Sequence, residues 1–227
     1  MNEFGFRTQD LVENPSTRLA VCLCLDVSPS MEGDPIEELN KGTALFFEAL
    51  QKNELTKHSV EIAVVTFAGT AVARQNFGPV LQATAPSLNI EGGGTSLGEG
   101  VELSLDLLEE RKKAYKLAGI EYFQPWLIIM TDGEPTDNSH LRVAPRAADL
   151  VQHKKLSVFP IGVGDDSDLE TLQMFSPKRP PLRLKGLRFE EFFEFLGKSA
   201  ERVSASNPGD TVPLDTEGIS KWAEMET

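Results

Sequence analysis

Cysteine is scarce in this chain of 227 residues, which holds only two. Cys22 and Cys24 lie two positions apart on one apolar run, and residues at that spacing on a strand point to the same side of an extended backbone. That geometry is poor for a disulfide. We therefore expect two buried, unpaired thiols in a reducing compartment, with a redox or metal-binding role as the less favoured interpretation.

Basic residues are also in short supply, with 22 Lys and Arg against 35 Asp and Glu and a formal net charge of −13. A chain of this charge lacks the positive surface that holds nucleic acid or anionic lipid without regard to sequence. We expect neither nucleic acid nor membrane among its partners. A cation or a basic protein surface suits the chain better.

Long hydrophobic runs are missing as well. No run approaches the roughly 20 apolar residues that cross a bilayer. Residues 1–10 show no basic region followed by an apolar stretch of the kind that directs export. These two absences predict a cytoplasmic protein.

Short apolar runs alternate along the chain with segments of helical spacing. The runs are rich in Val, Ile, Leu or Phe, as strands buried on both faces are. Strands are predicted at 18–25, 60–67, 126–130 and 156–163, and helices at 36–51, 97–117, 141–153 and 189–203. The alternation predicts an α/β fold, a doubly wound and mostly parallel central sheet with helices on both faces.

The remaining segments set the expected limits of the domain. Residues 71–77 and 182–185 are weaker strand predictions, one of them a short antiparallel edge strand. Residues 204–227 contain Asn-Pro-Gly-Asp and little periodicity, which indicates an extended tail. We therefore predict an N-terminal lead-in at 1–15, one domain at 16–203 and a C-terminal tail at 204–227.

Polar segments follow the predicted strands where a ligand would be expected. Asp-Val-Ser-Pro-Ser (26–30) comes after the first strand and Thr-Asp-Gly (131–133) after the third, while Gly-Gly-Gly-Thr-Ser (92–96) lies between the second and third units. In open α/β sheets, ligands bind outside the carboxyl ends of the strands. We therefore expect these three segments to meet at one edge of the sheet.

Oxygen is the only ligand atom that these segments offer. Their candidate ligands are two carboxylates and three hydroxyls: Asp26, Asp132, Ser28, Ser30 and Thr95. Such a set selects a hard cation. Two carboxylates are few for a Ca²⁺ cage, whereas Mg²⁺ keeps waters and accepts a site completed by another molecule's oxygen. Mg²⁺ is therefore the first choice, with Mn²⁺ and Ca²⁺ as alternatives.

The pattern of these residues resembles a known family. Asp-x-Ser-x-Ser, a separate threonine and a separate aspartate after a strand are similar to the metal-ion-dependent adhesion site of von Willebrand factor A domains. Gly-Gly-Thr-Ser-Leu-Gly (93–98), Thr-Asp-Gly-Glu-Pro-Thr-Asp (131–137) and Ile-Gly-Val-Gly (161–164) resemble the bacterial members associated with tellurium resistance. The similarity runs from about residue 16 to the tail.

That resemblance implies a role for each of the five residues. Ser28 and Ser30 would bind the metal directly, Thr95 in some states, and Asp26 and Asp132 directly or through waters. A partner protein would fill the open position with an acidic side chain. The resemblance further implies an interaction or scaffold protein in a bacterial stress-response system with kinase-like or phosphatase-like companions. We also expect no enzyme, because the sequence places no general base beside a plausible nucleophile.

Simpler interpretations of the same segments stay open. An Asp-x-Ser-x-Ser loop can merely cap a helix, although Asp34 as N-cap and Glu37 in the first turn are expected to cap the helix at 36–51. Residues 92–94 can be a flexible turn, and Thr95 can cap the helix that begins at 97. A turn that caps the next helix explains three further residues better than a ligand role does: Glu134, Thr136 and Asp137.

A metal-dependent hydrolase or phosphatase that uses the same oxygen cluster is the alternative function. Residues 94–98 match Gly-x-Ser-x-Gly around Ser96, and Asp132 followed by His140 or His153 keeps the order of a hydrolase triad. The segment before Ser96 is polar and glycine-rich, whereas that motif requires an apolar strand. An extracellular adhesin ranks third, because the chain lacks an export signal and a disulfide framework.

Overall fold

Seven strands form one twisted sheet in the computed structural model, which describes residues 14, 16–210, 212 and 219–225. The strands are β1 (Leu19–Asp26), β2 (Val60–Phe67), β3 (Ala71–Pro79), β4 (Trp126–Thr131), β5 (Ser157–Val163), β6 (Leu182–Leu184) and β7 (Ala223–Met225). The helices are α1 (Asp34–Lys52), α2 (Thr56–Ser59), α3 (Leu97–Ala118), α4 (Ser139–Gln152), α5 (Leu169–Phe175), α6 (Phe189–Ser204) and α7 (Ile219–Trp222).

The sheet has the order β3-β2-β1-β4-β5-β6-β7, and its five central strands are parallel. β3 runs antiparallel to β2 at one edge, as predicted for 71–77. The fold class predicted from the sequence is therefore confirmed. The other edge differs from the prediction, because β7 pairs antiparallel with β6 and covers the strand that had been expected there.

Apolar cores lie on both faces of the sheet. Along β1, alternate side chains face two different layers: Leu23 packs in the core under α1 and α6, and Cys22 and Cys24 in the core under α3 and α4. Both thiols are free and buried, as expected, and burial raises the pKa of Cys22 to about 12. A thiol held in this way is a small apolar core residue.

The N-cap of α1 differs from the one predicted from the sequence. Gly33 occupies the N-cap, and no side chain caps the helix there, so the expected N-cap role of Asp34 was wrong. Asp34 and Glu37 lie in the first turn, where negative charge suits the helix dipole. The sequence prediction also missed α5, whose N-cap residue Asp168 accepts a hydrogen bond from the Thr171 N–H.

The C-terminal segment contains more structure than the predicted extended tail. α7 and β7 lie within it, and Trp222 packs against the rings of Phe192 and Phe195 on α6. This contact joins segments that are distant along the chain, which local periodicity does not reveal. Most of the predicted lead-in, together with residues 211, 213–218 and 226–227 of the tail, lies outside the described residues.

No helix in the described part of the chain is long and apolar enough to cross a membrane.

Candidate metal centre

Two neighbouring parallel strands bring most of the predicted site together. β1 and β4 pair in a register that sets Leu25 beside Met130, so Asp26 and Thr131 end their strands at the same level of the sheet. Asp132 follows Thr131 directly, and a 3-10 turn at Pro29–Met31 carries Ser30. The expected meeting of the segments after β1 and β4 is therefore present.

A continuous chain of hydrogen bonds joins four of the five predicted ligands. The Ser28 N–H donates to Asp26 Oδ1 at 2.8 Å, and the Ser28 and Ser30 hydroxyls lie 3.0 Å apart. The Ser30 hydroxyl donates to Asp132 Oδ1 at 2.7 Å. This series of hydrogen bonds begins at the fully buried Asp26 and ends at the exposed Ser30 and the half-buried Asp132. The site therefore opens to solvent at one side.

Asp26 is held by a residue that the sequence prediction did not include. Its second carboxylate oxygen accepts a hydrogen bond of 2.5 Å from the Thr131 hydroxyl, and Thr131 is itself buried. Burial raises the pKa of Asp26 from 3.8 to about 6, and the hydrogen bonds from Ser28 and Thr131 limit the rise. A signal was present in the sequence, since a hydroxyl residue stands immediately before Asp132.

Asp132 has a milder environment than Asp26. It is half-buried, and burial raises its pKa, while the Ser30 hydroxyl bond favours the charged form. A cation is an effective substitute for the water that these two carboxylates lose on folding, because it favours their charged forms.

The loop that carries Thr95 is tied to the loops after β1, β2 and β4. The Glu91 N–H donates to the Val27 carbonyl, and the Ser96 N–H donates to the Ala68 carbonyl. Thr95 donates its N–H to Thr136 Oγ1 at 2.9 Å. No hydrogen bond joins the Thr95 hydroxyl to the other four residues within the described ranges, so Thr95 is beside the cluster and not part of its hydrogen-bond chain.

Glycine is required at one position of this loop. Gly94 has a φ of +107°, and a Cβ atom there would lie 2.6 Å from Thr136 Oγ1. The glycine run is thus more than a flexible turn, because it lets the Thr95 backbone approach Thr136 closely. Thr136 was predicted as a turn residue and has this second role.

The other rim residues match the turn of the simpler interpretation but not its helix cap. Asp137 accepts hydrogen bonds from the Ser139 N–H at 3.0 Å and the Ser139 hydroxyl at 2.7 Å. The N-cap residue of α4 is Asn138, and no side chain makes a capping hydrogen bond there. Glu134 is exposed. The N-cap of α3 is Ser96 and not Thr95.

The oxygens of the cluster lie at hydrogen-bond distance from one another. The Ser28–Ser30 and Ser30–Asp132 separations are 3.0 and 2.7 Å. Carboxylate and hydroxyl oxygens are the donors that hard cations such as Mg²⁺ and Ca²⁺ take. Within the described residues no three His, Cys, Asp or Glu side chains cluster, so the donor set stays one of two carboxylates and hydroxyls.

The hydrolase interpretation finds no support in the surroundings of Ser96. Its hydroxyl donates to the Gly69 carbonyl at 3.0 Å. His140 Nδ1 lies 3.0 Å from the Asp137 carbonyl oxygen, and His153 Nδ1 lies 2.9 Å from the Asp149 carbonyl oxygen. Neither imidazole is hydrogen-bonded to Ser96 in the part of the chain that the structure describes.

Comparison with known proteins connects this geometry to a domain family. The family model of the von Willebrand factor type A domain matches residues 20–195. No curated protein sequence matches the chain.

Solved structures share the architecture at low sequence identity. A von Willebrand factor type A protein from Catenulispora acidiphila is 14% identical, with a TM-score of 0.65 over 82% of this chain and 43% of that one. The open conformation of the pilus adhesin SpaC from Lactobacillus rhamnosus GG is 15% identical, with a TM-score of 0.64 over 83% and 31%. The conserved hypothetical protein BatB from Bacteroides thetaiotaomicron is 18% identical, with a TM-score of 0.58 over 83% and 100%. The chain spans less than half of the first two proteins, and at these identities the likeness shows the fold alone.

Proposed function

The chain belongs to the von Willebrand factor type A domain family, and from this we propose that it is a protein-binding module that holds Mg²⁺ and coordinates an acidic side chain of another protein. The observation that carries the proposal is the hydrogen-bond chain from buried Asp26 through Ser28 and Ser30 to Asp132. Such a chain places oxygens side by side at a solvent-exposed edge.

Each residue of the proposed site has a distinct task. Ser30 and Asp132, which solvent reaches, would bind the ion directly together with Ser28. Asp26 accepts a hydrogen bond from the Ser28 N–H and supplies negative charge from the buried side of the site. Thr95 would add a hydroxyl from the neighbouring loop. When bound, the cation supplies a positive centre with an open position for a partner's carboxylate oxygen.

The partner's surface should carry positive charge around its acidic residue. Exposed carboxylates adjoin the candidate ligands in sequence, with Glu32 and Asp34 following Ser30 and Glu134 following Asp132. The chain as a whole has a formal net charge of −13. An acidic residue flanked by Lys or Arg would satisfy both the cation and these carboxylates.

Three finer assignments belong to the same proposal. We place the module in the cytoplasm, supported by two buried free thiols that need no oxidising compartment. We assign it no catalytic activity, since the Ser96 hydroxyl is engaged by the Gly69 carbonyl. We also propose a role in a bacterial tellurium-resistance or stress-response system, with kinase-like or phosphatase-like partners. This role rests only on the resemblance of the sequence motifs at 93–98, 131–137 and 161–164.

Calorimetric titration of the metal-stripped protein with Mg²⁺, Mn²⁺ and Ca²⁺ tests the metal site. The parent should bind about one equivalent of Mg²⁺. Ser30→Ala and Asp132→Asn should each weaken binding at least tenfold, a loss of about 1.4 kcal/mol. Glu134→Gln, which removes an exposed carboxylate two residues from Asp132, should leave the affinity unchanged. The proposal is overturned if the parent takes up no divalent cation at millimolar concentration.

Peptide arrays probed in Mg²⁺ and in a chelator test the binding function. Basic peptides with one central Glu should retain the protein only in Mg²⁺, and the same peptides with Gln should not. Retention that survives the chelator or the Glu→Gln change would contradict coordination by a carboxylate. A metal-dependent hydrolase would instead lose turnover in Ser96→Ala, whereas peptide retention should survive that change.

A further inference from the structure

A large cavity lies at the edge of the sheet opposite the candidate metal centre. Its volume is about 1450 Å³, and its walls include the amino ends of β4 and β5, which begin at Trp126 and Ser157. Asp26 and Asp132 lie at the carboxyl ends of β1 and β4, so the length of a strand separates the two places. The cavity is therefore independent of the proposed metal site.

Positive charge is concentrated in this cavity. Seven of its lining residues are Lys or Arg and three are Asp or Glu, in a chain with a formal net charge of −13. Two of the seven are already neutralised, since Lys112 pairs with Glu109 and Arg146 pairs with Asp106. The others leave an excess of positive charge facing a space that is large enough for a ligand.

Arg179 is the most informative of these cations. Its guanidinium lies over the ring of Phe159, 3.9 Å from the ring centroid, and Nη1 makes a long contact of 3.5 Å to the Val158 carbonyl. No carboxylate pairs with it among the residues that the structure describes. Burial without such a partner lowers the pKa of Arg179 to about 10. Arg179 is half-buried, and a guanidinium that lies over a ring without a carboxylate partner has N–H donors left to bind an anion.

Three exposed lysines also line this cavity. Lys116 comes from the last turn of α3, and Lys154 and Lys155 follow the end of α4. None of the three forms an ion pair within the described ranges. Lysines at helix C-termini are partly explained by the helix dipole. That explanation does not extend to Arg179, which follows α5 by four positions and is held in a wall of the cavity instead of in solvent.

We propose that this cavity binds a phosphate group, anchored by Arg179 and attracted by the positive charge of Lys116, Lys154 and Lys155 in the same lining. A guanidinium presents a planar fork of donors that matches two oxygens of a phosphate, and the contact with the Phe159 ring holds the Arg179 guanidinium in the wall of the cavity. Phosphate carries more charge than a carboxylate, and it therefore better offsets several unpaired cations. The group could be carried by a small phosphorylated compound or by a phosphorylated side chain of a protein, since both present the same oxygens.

Titration of the metal-stripped full chain with inorganic pyrophosphate in a chelating buffer tests the proposal. The parent should bind about one equivalent, and binding should weaken as salt is added. Arg179→Gln should weaken binding at least tenfold, and Lys116→Gln several-fold. The matched control is Lys113→Gln, an exposed lysine on the same helix that does not line the cavity, and it should bind like the parent.

Thermal unfolding keeps the proposal testable if Arg179→Gln folds poorly. Pyrophosphate should raise the melting temperature of the parent and of Lys113→Gln, but raise that of Lys116→Gln less. Equal loss of binding in Lys116→Gln and Lys113→Gln would overturn the proposal, because it would indicate diffuse attraction. No binding by the parent at millimolar pyrophosphate would overturn it as well.

A second titration distinguishes the two sources of the phosphate group. A phosphoserine peptide that binds more tightly than pyrophosphate, and that loses affinity in Arg179→Gln, identifies a protein ligand. A peptide that binds no better than its unphosphorylated form, beside a parent that binds pyrophosphate, identifies a small phosphorylated compound.

Discussion

Thr95 and Thr136 hold each other through two hydrogen bonds. The Thr95 N–H donates to Thr136 Oγ1 at 2.9 Å, and the Thr136 N–H donates to the Thr95 carbonyl at 3.1 Å. The pair joins the loop before α3 to the loop after β4. Through it, the position of the proposed ligand Thr95 depends on a residue that binds no metal in the proposed site.

Replacing Thr136 should therefore loosen the site without removing a ligand. Thr136→Val deletes the acceptor for the Thr95 N–H and should lower the free energy of unfolding by about 1 kcal/mol. Mg²⁺ affinity should fall several-fold in calorimetry. Thr136→Ser keeps the hydroxyl and should bind Mg²⁺ like the parent. Equal affinities for the Val and Ser variants would show that this hydrogen bond does not position Thr95.

The contribution of Asp26 to the stability of the metal-free protein should fall as the pH rises from about 4 to about 6. The pKa of Asp26 is about 6 in the folded protein and 3.8 when unshifted, so in this window the folded state binds more protons than the unfolded state. Its contribution is fully present below the lower value and is lost above the higher one. A shift of this size corresponds to about 3 kcal/mol.

Urea unfolding of the parent and of Asp26→Asn across this pH range measures the effect. The asparagine variant should lack this part of the pH dependence and should be more stable than the metal-free parent at pH 7, although it should bind Mg²⁺ poorly. Identical pH profiles for the two proteins would show that Asp26 does not titrate in this window.

Glu61 is the centre of a buried ionic cluster whose loss should strongly destabilise the domain. Its carboxylate binds Arg111 at 2.5 and 2.8 Å, accepts the Tyr115 hydroxyl at 2.6 Å and lies 3.2 Å from Arg18. Glu61→Ala leaves two buried guanidinium groups without this carboxylate and should cost about 3 to 5 kcal/mol in urea unfolding.

A surface pair provides the control for the Glu61 cluster. Glu48 pairs with Lys52 on the exposed side of α1. Glu48→Ala should cost less than about 1 kcal/mol. If the two alanine variants lost similar stability, the cluster would have no special structural role.

Two helical glycines should respond in opposite ways to alanine. A Cβ atom at Gly42 on α1 would lie 2.7 Å from the Phe193 ring and 3.0 Å from the Phe189 Cβ, so Gly42→Ala should push α1 from α6 and cost about 1 to 3 kcal/mol. At Gly197 on α6 the nearest atom would be the Ala49 Cβ at 3.7 Å. Gly197→Ala should therefore stabilise the protein by up to about 1 kcal/mol. Thermal unfolding of both variants checks the difference in sign.

Much of the fold could be predicted from the sequence because its strands are buried on both faces. β2 begins and ends where its apolar run does, β4 and β5 differ from theirs by one residue at one end, and β1 is shifted by one residue at both ends. The strands at the β6 edge were harder to predict, since β6 and β7 have three residues each and depend on each other for hydrogen bonds. β7 pairs with β6 only because the C-terminal segment comes back to the edge of the sheet. The local hydrophobic pattern of the sequence carries no information about that return.

The sequence alone determined which oxygens are candidates for a metal and that Asp26, Ser28, Ser30 and Asp132 would meet. Parallel strands end at one edge of a sheet, so polar residues after β1 and β4 converge whatever the remaining contacts are. Whether they hold a cation stays a prediction.

Tertiary structure alone decided which groups support that cluster and which charges lack a partner. Thr131 holds Asp26, Thr136 holds Thr95, and the Arg179 guanidinium lies over the Phe159 ring with no carboxylate paired to it in the described residues. Each of these facts is a distance between segments that are far apart in sequence. Hydrophobic periodicity places residues on faces and at strand ends, but only the packing of helices and loops fixes the last few ångströms between side chains.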